Sequence, residues 1–141
     1  MVNTLKWLVL VVILLVPAVS LFGEETEEFE LLPGSGKSCK IGDDYTFVYD
    51  FDKTPKMGTS ILRIKLFDGK GRKATDLGIV GQSDMPSMRG AHASGDVPFK
   101  LNKKGVYLLP VNIVMPGEWE IRLVFHKDKS VIQRARLLFN V

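Results

Sequence analysis

Trp119, Ile121, Leu123 and Phe125 alternate with Glu118, Glu120 and Arg122. A side-chain period of two belongs to a strand with one face in a core and the other in solvent. The pattern recurs through the chain. Tyr45, Phe47, Tyr49 and Phe51 share one face, and Leu62, Ile64 and Leu66 share another, opposite Arg63, Lys65 and Phe67. Tyr107, Leu109, Val111, Ile113 and Met115 alternate across the longest apolar run, and Ala135, Leu137, Phe139 and Val141 close the sequence. Pro110 cannot donate to a ladder, so its strand is expected at an edge or a bulge. Turns are marked by Asp68-Gly69-Lys70-Gly71, Lys103-Lys104-Gly105, Pro116-Gly117 and Lys127-Asp128-Lys129. Short strands at this spacing, with no long helical period among them, predict an all-β, immunoglobulin-like β-sandwich. Asn102-Lys103-Lys104-Gly105-Val106-Tyr107 has the look of the corner of such domains, in which the tyrosine bonds back to the preceding turn.

The N-terminus obeys different rules. Met1 to Lys6 is weakly positive, and Trp7 to Phe22 is an apolar run of 16 residues broken only by Pro17 and Ser20. A spanning helix needs about 20 apolar residues, so the run fits the core of a signal peptide. Ala18-Val19-Ser20 offers small residues for cleavage after Ser20, with Gly23 as the second choice; an uncleaved anchor is the alternative. No cysteine ends the run, so no lipid-attachment site is present there. The organisation expected is a signal peptide over residues 1–20, a flexible acidic lead-in over 21–40 and one sandwich domain over 41–141. A periplasmic or cell-surface location follows.

Charge is divided along the chain. Glu24, Glu25, Glu27, Glu28 and Glu30 crowd the lead-in, whereas from residue 31 onward 18 Lys+Arg stand against 11 Asp+Glu, about +7. The cations are spread between apolar strand positions, as in Arg63-Ile64-Lys65, which describes a solvated sheet face rather than a nucleic-acid surface. Cys39 is the only cysteine, so the core must stabilise the fold without an intrachain disulfide. Its thiol is open to three roles: a small buried hydrophobe, a link to another chain, or a metal ligand.

Residues 76–98 break the strand pattern, and Asp84-Met85-Pro86-Ser87-Met88-Arg89-Gly90-Ala91-His92-Ala93-Ser94-Gly95 carries neither period. A loop of this length on a rigid sandwich is where binding groups gather. Thioether sulfur and imidazole nitrogen are soft to borderline donors, a set that selects copper and above all Cu(I). Met85, Met88 and His92 supply three such donors within eight residues, and Met115, at a strand end beside Pro116-Gly117, lies within reach of the rim. The competing reading makes the methionines adaptable packing and His92 a surface residue. His126 is expected to be exposed and Trp119 to be a core aromatic.

Met85-Pro86-Ser87-Met88-Arg89-Gly90-Ala91-His92, Gly105-Val106-Tyr107 and Val114-Met115-Pro116-Gly117-Glu118-Trp119-Glu120-Ile121, in this order, resemble the YtkA-like and FixH-like domains of bacteria. The resemblance covers residues 44–141, most closely 84–125. It implies an exported or membrane-anchored immunoglobulin-like sandwich, and for FixH-like members copper handling during assembly of haem-copper oxidases. The matching positions for copper are Met85, Met88, His92 and Met115. A copper-handling envelope protein is then the implied partner.

An enzyme is not expected. No nucleophile stands with a base and an orienting group, and Asp43 and Asp44 read as turn residues. Gly34-Ser35-Gly36-Lys37-Ser38 has the end of a phosphate loop, but Leu31 replaces its first glycine. No paired Cys/His zinc motif occurs. The second functional reading is a metal-free module that contacts another envelope protein.

Overall fold

The computed structural model describes residues 27–141, so the expected signal peptide lies outside the described residues. The chain folds as an all-β sandwich of two sheets. The strands are β1 (Glu30–Leu31), β2 (Ser38–Ile41), β3 (Tyr45–Phe51), β4 (Gly58–Asp68), β5 (Lys73–Ala74), β6 (Gly78–Asp84), β7 (Val97–Pro98), β8 (Lys100–Leu101), β9 (Tyr107–Ile113), β10 (Glu118–Lys127) and β11 (Ser130–Asn140). One sheet runs β1-β11-β10-β6-β7; the other runs β2-β3-β4-β9-β8, with β5 added on β4. No helix of the described residues is long and apolar enough to cross a membrane.

The alternating residues meet between the sheets as the sequence predicts. Phe47 of one sheet and Phe125 of the other are fully buried, with ring centroids 4.9 Å apart. Leu62, Ile64, Leu66, Trp119, Ile121 and Leu123 are equally inaccessible. Each such aliphatic or phenyl side chain contributes about 1.5–3 kcal/mol by leaving water. Pro110 is exposed on β9 beyond the last residue paired to β8, where the strand has become an edge and its missing N–H costs no ladder bond. The β10–β11 hairpin turns through Asp128 and Lys129, with Asp128 at φ +54°, a left-handed conformation that Asp tolerates.

Three expectations are corrected. The lead-in of 21–40 carries structure: β1 pairs in parallel with β11, and β2 pairs with β3, burying Cys39 at 7% exposure. Burial, and then the charge of Glu30, push the Cys39 thiol up, which fits the role of a core residue. Tyr107 does not bond to its preceding turn. Its hydroxyl donates to the carbonyl of Leu77 at 2.8 Å, and the turn is closed by Asn102, whose Oδ1 accepts from the N–H groups of Lys104 and Val106.

The third correction is β6, a strand inside the stretch that reads as irregular. It lies between β10 and β7, and its central residue is Gly81. A Cβ there would come 2.5 Å from Leu109 Cδ2 and 3.0 Å from Phe99 Cε2, so two neighbours fill the space a strand residue normally claims. The apolar period is lost from the sequence because the partner residues supply the bulk. Gly81→Ala is expected to destabilise the fold by about 1–3 kcal/mol through overpacking, read as a lower urea midpoint at unchanged slope.

Candidate functional site

β6 ends at Asp84, which is buried and faces Glu120 across the β6–β10 ladder. Its carboxylate accepts the N–H groups of Met85 at 2.8 Å and Gly90 at 3.0 Å, closing the chain between them into one loop. Within the loop a short 3-10 turn, Pro86–Met88, forms, and the N–H groups of Met88 and Ala91 donate to the carbonyls of Met85 and Met88. Gly90 takes φ +83°, a conformation a β-carbon disfavours. Farther on, Ser94 returns the loop to the sheet by bonding Ser83 through its N–H and its hydroxyl.

Met85 is 3% exposed and belongs to the core, its methyl group lying against Gly117 of the β9–β10 turn. Met115, in that same turn, is half-buried against the core, and its carbonyl accepts the indole N–H of Trp119 at 3.0 Å. The imidazole of His92 packs on the Trp119 ring at a centroid separation of 6.4 Å. Met85 thus neighbours Gly117, and the Met115 backbone and the His92 ring neighbour Trp119, at one end of the sandwich. Met88 is tied to Met85 through the backbone but is 42% exposed. A shallow pocket of about 290 Å³ opens beside His92, between Ser83, Ser94 and the free edge of β9 at Pro110 and Asn112. Among the described residues no three His, Cys, Asp or Glu side chains are grouped as a metal site.

The residues that hold this loop were not singled out in the sequence. Glu120 sits at an outward strand position, yet it is 1% exposed because three arginines cover it. Arg89 of the loop and Arg122 of β10 bond its Oε1 at 2.7 and 2.8 Å, and Arg136 of β11 bonds Oε2 at 3.1 Å. Burial pushes the Glu120 carboxyl up, but the hydrogen bonds from Arg89 and Arg136 and the positive charges of Arg89 and Arg122 outweigh it, holding it at about 2. Arg89 is raised in return, first by its hydrogen bond to Glu120. Two buried carboxylates thus fix the loop: Asp84 through the backbone and Glu120 through Arg89. No spacing rule marks this closure in the sequence, since an Asx turn reaches two residues on whereas Asp84 reaches six, to Gly90.

Two other groups among the described residues have structural partners. Gly36 N–H and Ser35 Oγ both bond the carbonyl of Tyr49, and β2 rather than a helix follows them, so no phosphate cradle forms. Tyr45 donates to Asp76 at 2.6 Å and accepts from Lys127 at 2.9 Å, a bridge between the sheets.

The site defines a class: a β-sandwich whose rim carries a pinned loop with thioether and imidazole groups. Comparison with known proteins reaches the fold alone. The chain is similar to a DUF4426 family protein from Pseudomonas aeruginosa PAO1, at 10% identity and TM-score 0.52, over 74% of this chain and 96% of that one. It is also similar to FetP of uropathogenic E. coli strain F11, recombinantly expressed in the periplasm of E. coli, at 10% identity and TM-score 0.50, over 76% and 93%. No family model matches the sequence, and no curated protein does.

Proposed function

We propose that this is an exported sandwich protein, periplasmic or at the cell surface, that binds Cu(I) through its rim loop and hands it to an envelope partner. Met85, Met88 and His92 are the ligands assigned, and Met115 contributes or lines the site. The observation that supports this is that Met85 lies against Gly117 while Met115, through its carbonyl, and His92, through its ring, both neighbour Trp119 two residues on, although 30 residues separate Met85 from Met115. Copper supplies no catalysis in this reading; it is cargo. The donor set suits it, since thioether and neutral imidazole stabilise the cuprous state and neither is lost to disulfide formation in an oxidising compartment. Met88 is the exposed donor and the half-buried His92 lines an open pocket, so exchange to a partner begins with them. The leader and the likeness to FetP, a protein expressed in the periplasm, agree with an envelope location. The YtkA-like and FixH-like resemblance remains part of this proposal.

Titration of the mature protein with Cu(I) against a chromogenic chelator tests it. Met88→Leu with His92→Ala is expected to lower affinity by about 100-fold, equivalent to roughly 2.7 kcal/mol. Unchanged affinity would leave the metal-free module, a reading favoured by one observation: Met85 is as buried as a gap-filling methionine of the core.

A further inference from the structure

The acidic lead-in and the basic domain are not independent in space. Residues 27–32 lie as a strap along the outer side of β11 and over the adjoining sheet face. Glu27 pairs with Arg134 at 3.1 Å, Glu30 accepts from Gln133 at 2.7 Å, and the Arg122 guanidinium lies 5.2 Å from the Phe29 ring centroid. Backbone pairing is brief. β1 has two residues in register with β11, a strand of eleven, and one more bond runs from Leu32 N–H to the Arg136 carbonyl. The remainder of that edge, at 130–134 and 137–140, has no strand partner on this side among the described residues.

The strap is anchored at Leu32, which packs against the core, and is open to water ahead of it at Glu27, Glu28, Glu30 and Leu31. An open groove of about 550 Å³ is lined by Glu28, Leu31, Val131 and Ile132, bridged by the Glu30–Gln133 bond, and a second opening of about 440 Å³ lies on the sheet face between Phe29, Arg122, Val124, His126 and Arg134. Glu27 is 61% exposed, and ion pairs so open to water hold little free energy. An edge strand with a cationic rim, apolar ground beside it and a short cover is a template for strand addition. Charge complementarity names the guest. Glu27 and Phe29, two positions apart, reach Arg134 and Arg122 together, because alternate residues of an extended chain share a side.

We propose that the β11 edge is a docking site for an acidic extended segment of another protein, with a carboxylate two positions before an aromatic ring. The segment enters as a strand beside β11 and displaces the chain's own residues 27–31, which occupy the site in cis, while Leu32 stays anchored to the core. This stands independently of copper binding, since it uses the edge of the sheet and not the rim loop.

The probe is a fluorescein-labelled synthetic peptide with the sequence of residues 21–32, measured by anisotropy against the mature protein in low salt. Loosening the strap by Glu27→Gln, Phe29→Ala and Glu30→Gln together is expected to tighten peptide binding at least tenfold over the wild type. Adding Arg134→Glu to that variant is expected to abolish the gain. A peptide with all five glutamates changed to glutamine is expected not to bind. No saturable binding to the loosened variant, or equal binding of the two peptides, would overturn the proposal. So would sedimentation showing that the wild type exchanges straps between two copies, because the guest would then be the chain itself. Glu27 and Glu30 are exposed and Phe29 is half-buried, and unchanged circular dichroism checks that the variants remain folded.

Discussion

Glu120→Gln is expected to cost about 2–3 kcal/mol of stability at neutral pH and to remove an acid-sensitive part of the folding free energy. In the folded state the carboxylate is held at about 2, against an ordinary 4.5. The native protein therefore binds this proton less readily than the unfolded chain. The stability it contributes is complete above the ordinary value and is lost as pH falls from about 5 towards 2. The shift corresponds to roughly 3 kcal/mol at 1.36 kcal/mol per unit, reduced to about 2 because the three arginines are each more than a third exposed. Glutamine keeps the shape but leaves Arg89, Arg122 and Arg136 without their counter-charge, which adds to the cost. The melting temperature at pH 7 should fall by roughly 5–15 °C, and the gap between wild type and variant should close as pH approaches 2. A gap that stays constant from pH 7 to 2 would show that charge at Glu120 is not what the arginines stabilise. Amide exchange at Gly90 and Ala91 should quicken in the variant, because Arg89 then loses its anchor.

The second large effect is at Trp119. The indole is fully buried, receives His92 on its ring and ties the β9–β10 turn through its N–H to Met115. Trp119→Ala should destabilise by about 3–5 kcal/mol, from lost burial and the cavity left behind. Trp119→Phe keeps most of the packing and removes the bond, so about 1–2 kcal/mol is expected. Denaturant unfolding of both separates the ring from its donor. A loss below 1 kcal/mol for the alanine variant would mean that the neighbouring groups can collapse around the gap. The phenylalanine variant also bears on the rim, since it frees the Met115 carbonyl and loosens the turn that meets Met85.

The long strands were legible because each carries its own inside-outside code. Trp119, Ile121, Leu123 and Phe125 need no partner to announce a buried face, and Tyr45, Phe47 and Tyr49 read as clearly. β6 was not legible, since Gly81 is small only because Leu109 and Phe99, 28 and 18 residues away, fill its place. The same holds for the strap: two residues of β1 have no period to detect, and their position depends on the edge of β11. For the candidate site, the donor atoms are written in the sequence, but their neighbours are not. That Met85 lies under the core while Met88 stays exposed is a consequence of Asp84 closing the loop between them and Gly90.

The sequence by itself determined the class: paired sheets, the positions of the turns, the inventory of soft donors and the split of charge between lead-in and domain. These follow from local rules, in which a residue's neighbours two positions away decide its side of the sheet. Only the tertiary structure decided that an outward-facing Glu120 would be buried, because burial there comes from Arg89, Arg122 and Arg136 on three different segments. Pairing energy between charges depends on distance in space and on the water they exclude, and neither quantity is carried by the order of residues along the chain.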